Sequence, residues 1–299
     1  MPNRLLEITV RPDWAEVDRL QAARGAQVWR WAQIGVIAGV LASLLLGALA
    51  PRWPALQLVR LTIFTLVIWG PPLWFLIGGE PGRQHAHLAL ARALVLLVIA
   101  TLGAAATAPY GLSRYRLPLP FALLIPAATW LLLLRERRRA PPVARALGLV
   151  PGDWVYFVLA GAAAGVALGF HMLLITHYLP TAPATHRPTP AQLLWLACFV
   201  LGLRAAGEEL LFRGLGYHLL GGSSRPIPAV VAQIAGLNLL IYLMPLSQSM
   251  NPTLWLLSLV YGALLAVAAT LLRYRAGSLI PSLACNATFT LFVAAVLPW

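Results

Sequence analysis

The chain has 299 residues, 60% of them hydrophobic and 10% charged, with a mean hydropathy of +0.78. Those values exclude an ordinary soluble globular domain and a disordered chain. The net charge of +13 comes from 22 basic residues against nine acidic ones, and every basic residue is an arginine. The arginines are dispersed among apolar runs, so they read as membrane topology and anionic-lipid contact, not as a nucleic-acid surface.

The first 27 residues are polar and charged, with no cleavable signal peptide. They predict a cytoplasmic arm, readable as one amphipathic helix lying at the interface. A spanning helix needs roughly 20 mainly apolar residues, and about nine segments meet that need. They run near 31–50, 58–79, 87–108, 117–135, 153–177, 192–218, 227–246, 254–272 and 279–297. The predicted fold is an all-α polytopic membrane protein.

An arginine- and proline-rich loop at 136–152 marks the clearest boundary. It separates the N-terminal spans and basic loop (28–152) from a membrane domain at 153–299. Placing the N-terminus in the cytoplasm puts Arg4, Arg11, Arg19, Arg24 and Arg30 inside, along with the run Arg135, Arg137, Arg138, Arg139 and Arg145. The outer loops then keep Arg52, Arg114, Arg116 and Arg187, which satisfies the positive-inside rule and leaves the C-terminus external. The absence of lysine and the abundance of alanine fit a GC-rich bacterial genome, and hence a bacterial cytoplasmic membrane. Cys198 and Cys285 both fall in spans and read as packing residues, with no metal-ligand spacing around either.

Chemistry concentrates in the sixth span, at Gly207-Glu208-Glu209-Leu210-Leu211-Phe212-Arg213-Gly214. An ionisable group at membrane depth is costly unless it is paired or faces water, so it marks a functional site by default. At 100° per residue, Arg204 with Glu208 and Glu209 with Arg213 form two i,i+4 pairs, and the two carboxylates diverge by about 100°. Two intrahelical ion pairs would account for this without any chemistry. In the sharper reading Glu209 and Arg213 fix the helix, while Glu208 faces a cavity and holds or activates water.

Glu-Glu-x-x-x-Arg-Gly within a span resembles the first motif of the CAAX-processing and bacteriocin-processing (CPBP) family of intramembrane proteases, which includes the type II CAAX prenyl endopeptidases. Downstream, Tyr261-Gly262-Ala263-Leu264-Leu265 followed by Arg275-Ala276-Gly277-Ser278-Leu279-Ile280-Pro281 is similar to the family's stretch before its last helix. The likeness covers roughly residues 195–297. It implies a helical core that hydrolyses peptide bonds in the membrane plane. The first glutamate activates water, a Phe-x-x-x-His motif assists, and a His-x-x-x-Asn motif stabilises the oxyanion.

Carried over residue by residue, the resemblance implies Glu208, Glu209, Arg213, Asn286 and Thr290 as site residues. Asn286 stands at the family's histidine, and Thr290, four residues on, at its asparagine. For the second motif, the register through Asn238 puts Ile241 at the phenylalanine and Pro245 at the histidine. Both catalytic histidines are therefore replaced. Zinc needs three or four N, O or S ligands, and only carboxylates remain, so no metal and no cofactor is expected. His218 lies ten residues beyond Glu208, about 15 Å along a helix.

Three function classes stay open. One is a non-catalytic family member that binds a membrane-embedded or lipidated peptide. Another is an active endopeptidase in which Glu208 activates water. The last is an ion- or proton-coupled transporter, against which stands the lack of paired broken helices. The geometric expectation is that Glu208, Asn286 and Thr290 face one polar cavity.

Overall fold

The computed structural model describes residues 26–49, 54–78, 86–107, 119–150, 152–178, 189–221, 226–242 and 252–296. Among them the regular structure is all helical, with no strand. The helices are α1 (Ala26–Leu49), α2 (Pro54–Gly78), α3 (Ala86–Thr107), α4 (Leu119–Arg139) and the short α5 (Pro141–Ala146). After these come α6 (Trp154–Tyr178), a composite α7, α8 (Ile227–Tyr242), α9 (Pro252–Ala276) and α10 (Ile280–Val296). Each segment expected to span coincides with one of these helices. Five stretches are long and apolar enough to cross a membrane by themselves: Gln27–Leu46, Leu58–Ile77, Ala86–Gly103, Trp154–Tyr178 and Leu256–Ala276. Ile227–Ile241 and Ile280–Val293 are apolar but shorter. The N-terminal arm up to residue 25 lies outside the described residues.

The apolar exterior belongs to lipid. On α6, Leu159 is 64% exposed. Trp154 and Tyr178 stand at its two ends, where aromatic rings anchor a span at the headgroups.

Helix α7 is not a uniform helix. It runs as an α-turn (Pro190–Trp195), a π-helix (Leu196–Ala205), a short α-segment (Ala206–Glu209), a second π-helix (Leu210–Gly216) and a last α-turn (Tyr217–Gly221). Its start is set by a capping box, in which the Thr189 side chain accepts from the Gln192 backbone and the Gln192 side chain accepts from that of Thr189. π-Turns replace the usual i→i+4 ladder and leave carbonyls that need other donors in a dry interior. Two tryptophans supply them. The indole of Trp69 on α2 donates to the Leu203 carbonyl at 2.9 Å, and that of Trp130 on α4 donates to Gly202 at 3.1 Å.

One large core joins α1 to α5 with α7 and α8, and includes Trp69, Leu97, Leu147 and Phe212. A smaller core lies between α6, α9 and α10, built on Met172, Tyr261, Leu265, Cys285 and Phe289. Helix α10 is seated against α6 through a stripe of small residues. A Cβ at Gly161 would sit 2.1 Å from the Pro281 carbonyl oxygen, and one at Gly165 would sit 2.0 Å from the Thr288 hydroxyl. Only glycine lets the two backbones meet this closely.

That contact predicts a sharp contrast between two glycines in helices. Gly165→Ala should lower the thermal midpoint of the detergent-solubilised protein, by about 1–3 kcal/mol of overpacking. Gly35→Ala, with no atom within 4 Å of the added Cβ, should leave it unchanged or raise it through helix propensity. A thermal melt of both variants checks this.

Candidate functional site

The short α-segment of α7 presents its two carboxylates in different directions. Glu208 pairs with Arg204 on its own helix, Nε to Oε1 at 3.0 Å. The Arg204 guanidinium lies 5.3 Å from the ring of Phe64 on α2. Arg204 is 38% exposed along its side chain, whereas Glu208 is 3% exposed. This pair looks toward α2.

Glu209 looks the other way and is the centre of a four-helix network. Its Oε1 lies 3.3 Å from Arg213 Nη1, with both side chains 1% exposed. The same oxygen accepts from Asn286 Nδ2 on α10 at 2.9 Å. Arg213 Nη1 also donates to Asn238 Oδ1 on α8 at 2.6 Å. Thr290 closes the chain, its hydroxyl donating to Asn286 Oδ1 at 3.2 Å. Arg273, also buried, reaches in from the end of α9 and donates from Nε to the Arg213 carbonyl at 3.1 Å. Glu209 Oε2, Arg213 Nε and Asn238 Nδ2 are buried with no hydrogen-bond partner.

The expected grouping therefore comes out rearranged. Glu209, Arg213, Asn286 and Thr290 are brought together, but Glu208 stands apart with Arg204. The cause is the angular divergence of consecutive helical residues: once α10 packs on the Glu209 face, the Glu208 face is left to α2. The cavity follows the same division. A partly open cavity of about 150 Å³ lies between α4, the loop after α5, α7 and the start of α10, and Glu209 is the carboxylate that lines it.

Its loop wall is firmly held. Leu279 N donates to the Gly148 carbonyl at 2.9 Å, and Arg273 Nη2 reaches the Ala146 carbonyl at 3.5 Å. Gly148 has φ of +79°, and a Cβ there would lie 2.6 Å from Arg273 Cζ. Glycine is required there on both counts.

Two partners escaped the sequence reading. Asn238 is an amide in an otherwise apolar helix that stood in the second-motif register with no role of its own. Arg273 stands near a span end, where a basic residue ordinarily faces the aqueous phase and carries no sign of burial. The position of Pro245 in the second-motif register lies outside the described residues. Among the histidines, His218 packs beside the ring of Phe75 at 5.5 Å. His171 bonds to the Tyr261 hydroxyl. Among the described residues no cluster of three or more His, Cys, Asp or Glu could hold a metal ion.

The two acids should respond differently to removal. Glu209→Ala strands Arg213 in a dry site, a change that typically costs about 3–5 kcal/mol, and should sharply reduce folded protein in detergent. Glu208→Ala should cost less, because Arg204 retains exposure of its own. Melting temperatures of the two variants test the ranking.

No curated protein matches the chain, and no solved structure matches it. A family model described as "Type II CAAX prenyl endopeptidase Rce1-like" matches residues 190–292. That segment is about a third of the chain, and it contains Glu208, Glu209, Arg213, Asn238, Asn286 and Thr290. The protein is an integral membrane protein, helical among its described residues, in which residues 190–292 are similar to the Rce1-like type II CAAX prenyl endopeptidases.

Proposed function

We propose that this protein binds a membrane-embedded or lipidated peptide in the cavity beside Glu209 and has little or no capacity to hydrolyse it. Peptide-bond hydrolysis needs a base free to take a proton from water, and donors aimed at the developing oxyanion. The observation that carries the proposal is where the donors point. The Asn286 amide is directed at Glu209, and the Thr290 hydroxyl at Asn286, so both groups at the oxyanion positions are engaged within the network. Each carboxylate also has a guanidinium within 3.3 Å.

What remains suits recognition better than turnover. The cavity wall is predominantly apolar, with Glu209 the carboxylate among its lining residues. Such a wall suits an apolar side chain or lipid of an extended peptide. The accompanying topology has the N-terminus in the cytoplasm and the C-terminus external, in a bacterial cytoplasmic membrane.

The test is the reconstituted wild-type protein against prenylated and membrane-helix peptides. Binding without cleavage is expected, and binding should fall in Leu149→Trp, which obstructs the cavity. Turnover by wild type that disappears in Glu208→Gln or Glu209→Gln, with folding retained, would overturn the proposal in favour of an active endopeptidase.

A further inference from the structure

The cavity has a second property, set by its rim. Trp130, Leu133 and Leu134 of α4, Leu149 and Val150 of the loop and Leu283 of α10 make an apolar wall. Two ionisable side chains border it, Glu209 and Arg137. The charge of Glu209 is balanced by Arg213. Arg137 belongs to the run that ends α4, where Arg135 and Arg139 lie 3.9 and 3.4 Å from the buried Glu136. One carboxylate against four guanidinium groups leaves that helix end strongly positive.

An apolar slot with a cation at its rim is complementary to an amphiphile with an anionic end. The membrane itself supplies one, because an inner-leaflet phospholipid carries its phosphate at the depth where a helix-terminal arginine run sits. We infer that the cavity holds one acyl chain of an anionic phospholipid, its phosphate on Arg137 and its first methylenes between Trp130, Leu134 and Leu149. A volume of about 150 Å³ admits part of a chain, not a whole lipid. Lipid tails are as apolar as the wall, so the chain contributes shape and packing. The phosphate makes a charge-assisted contact with the guanidinium. Selectivity over phosphatidylcholine comes from that lipid's choline cation, which offsets its phosphate charge and is repelled by the arginine run. The inference shares its cavity with the peptide-binding reading, the phospholipid being the resident occupant that a peptide displaces.

The test uses no peptide, so its outcome does not depend on that reading. Full-length protein is reconstituted in vesicles of equal phosphatidylglycerol and phosphatidylcholine and gently re-extracted. The retained lipid is then identified by native mass spectrometry. Wild type should retain one phosphatidylglycerol, enriched about tenfold over phosphatidylcholine, the order expected of one contact to a charged group. Arg137→Gln should abolish the enrichment, and Leu134→Trp, a partly exposed wall position, should reduce the amount of lipid retained. Arg30→Gln, an exposed arginine on α1, should change neither. Lipid retained in the vesicle ratio by wild type, an enrichment that survives Arg137→Gln, retention unaffected by Leu134→Trp, or an equal loss in Arg30→Gln would each overturn the inference.

Discussion

The buried ion pair between Glu209 and Arg213 is the constraint around which the inner bundle is arranged. Two charges 3.3 Å apart with 1% exposure persist in an apolar surrounding only when further polar groups share their fields. Those groups come from other helices. Asn238 ties the pair to α8, Asn286 ties it to α10, and Arg273 brings in α9 through the Arg213 carbonyl. Helix association in lipid gains little from the hydrophobic effect, so a directional polar network specifies which helices meet and in what rotation. The glycine stripe of α6 complements it, fixing the other side of α10 by shape.

Arg273 is the least expected member of this arrangement. It is a fully buried guanidinium whose described partners are carbonyls, together with the ring of Tyr217 at 5.2 Å. Carbonyl dipoles and an aromatic face disperse its charge where no carboxylate among the described residues pairs with it. In doing so it links the loop at Ala146–Gly148 to α7. The conformation of that loop, a cavity wall, thus depends on the same helices that hold Glu209.

Much of this was legible in the sequence. Long apolar runs located the helices, and the i,i+4 spacing of Arg204 with Glu208 and Glu209 with Arg213 gave both ion pairs correctly. The motif spacing placed Asn286 and Thr290 beside the acidic segment. What could not be read was which carboxylate they would meet, because that depends on how α10 rotates against α7. Gly161 and Gly165 set that rotation through contacts more than a hundred residues distant in sequence. The π-segments were equally hidden, and the first takes indole hydrogen bonds from Trp69 and Trp130, which lie far from it in sequence. Asn238 and Arg273 carried ordinary-looking signals whose importance arises only from burial.

The indole contacts to α7 also bear on the order in which the chain assembles. Trp69 and Trp130 precede Leu203 and Gly202 by 134 and 72 residues, so both donors are synthesised before the carbonyls they serve. When α7 enters the bilayer, its widened turns meet partners that are already present. Asn286 has the opposite timing, since it follows Glu209 by 77 residues. Arg213 neutralises Glu209 as soon as their shared helix forms, and the amide is added only once α10 has been made. The acidic segment is thus charge-balanced from its first appearance in the membrane, and it gains the amide hydrogen bond later, when α10 packs against it.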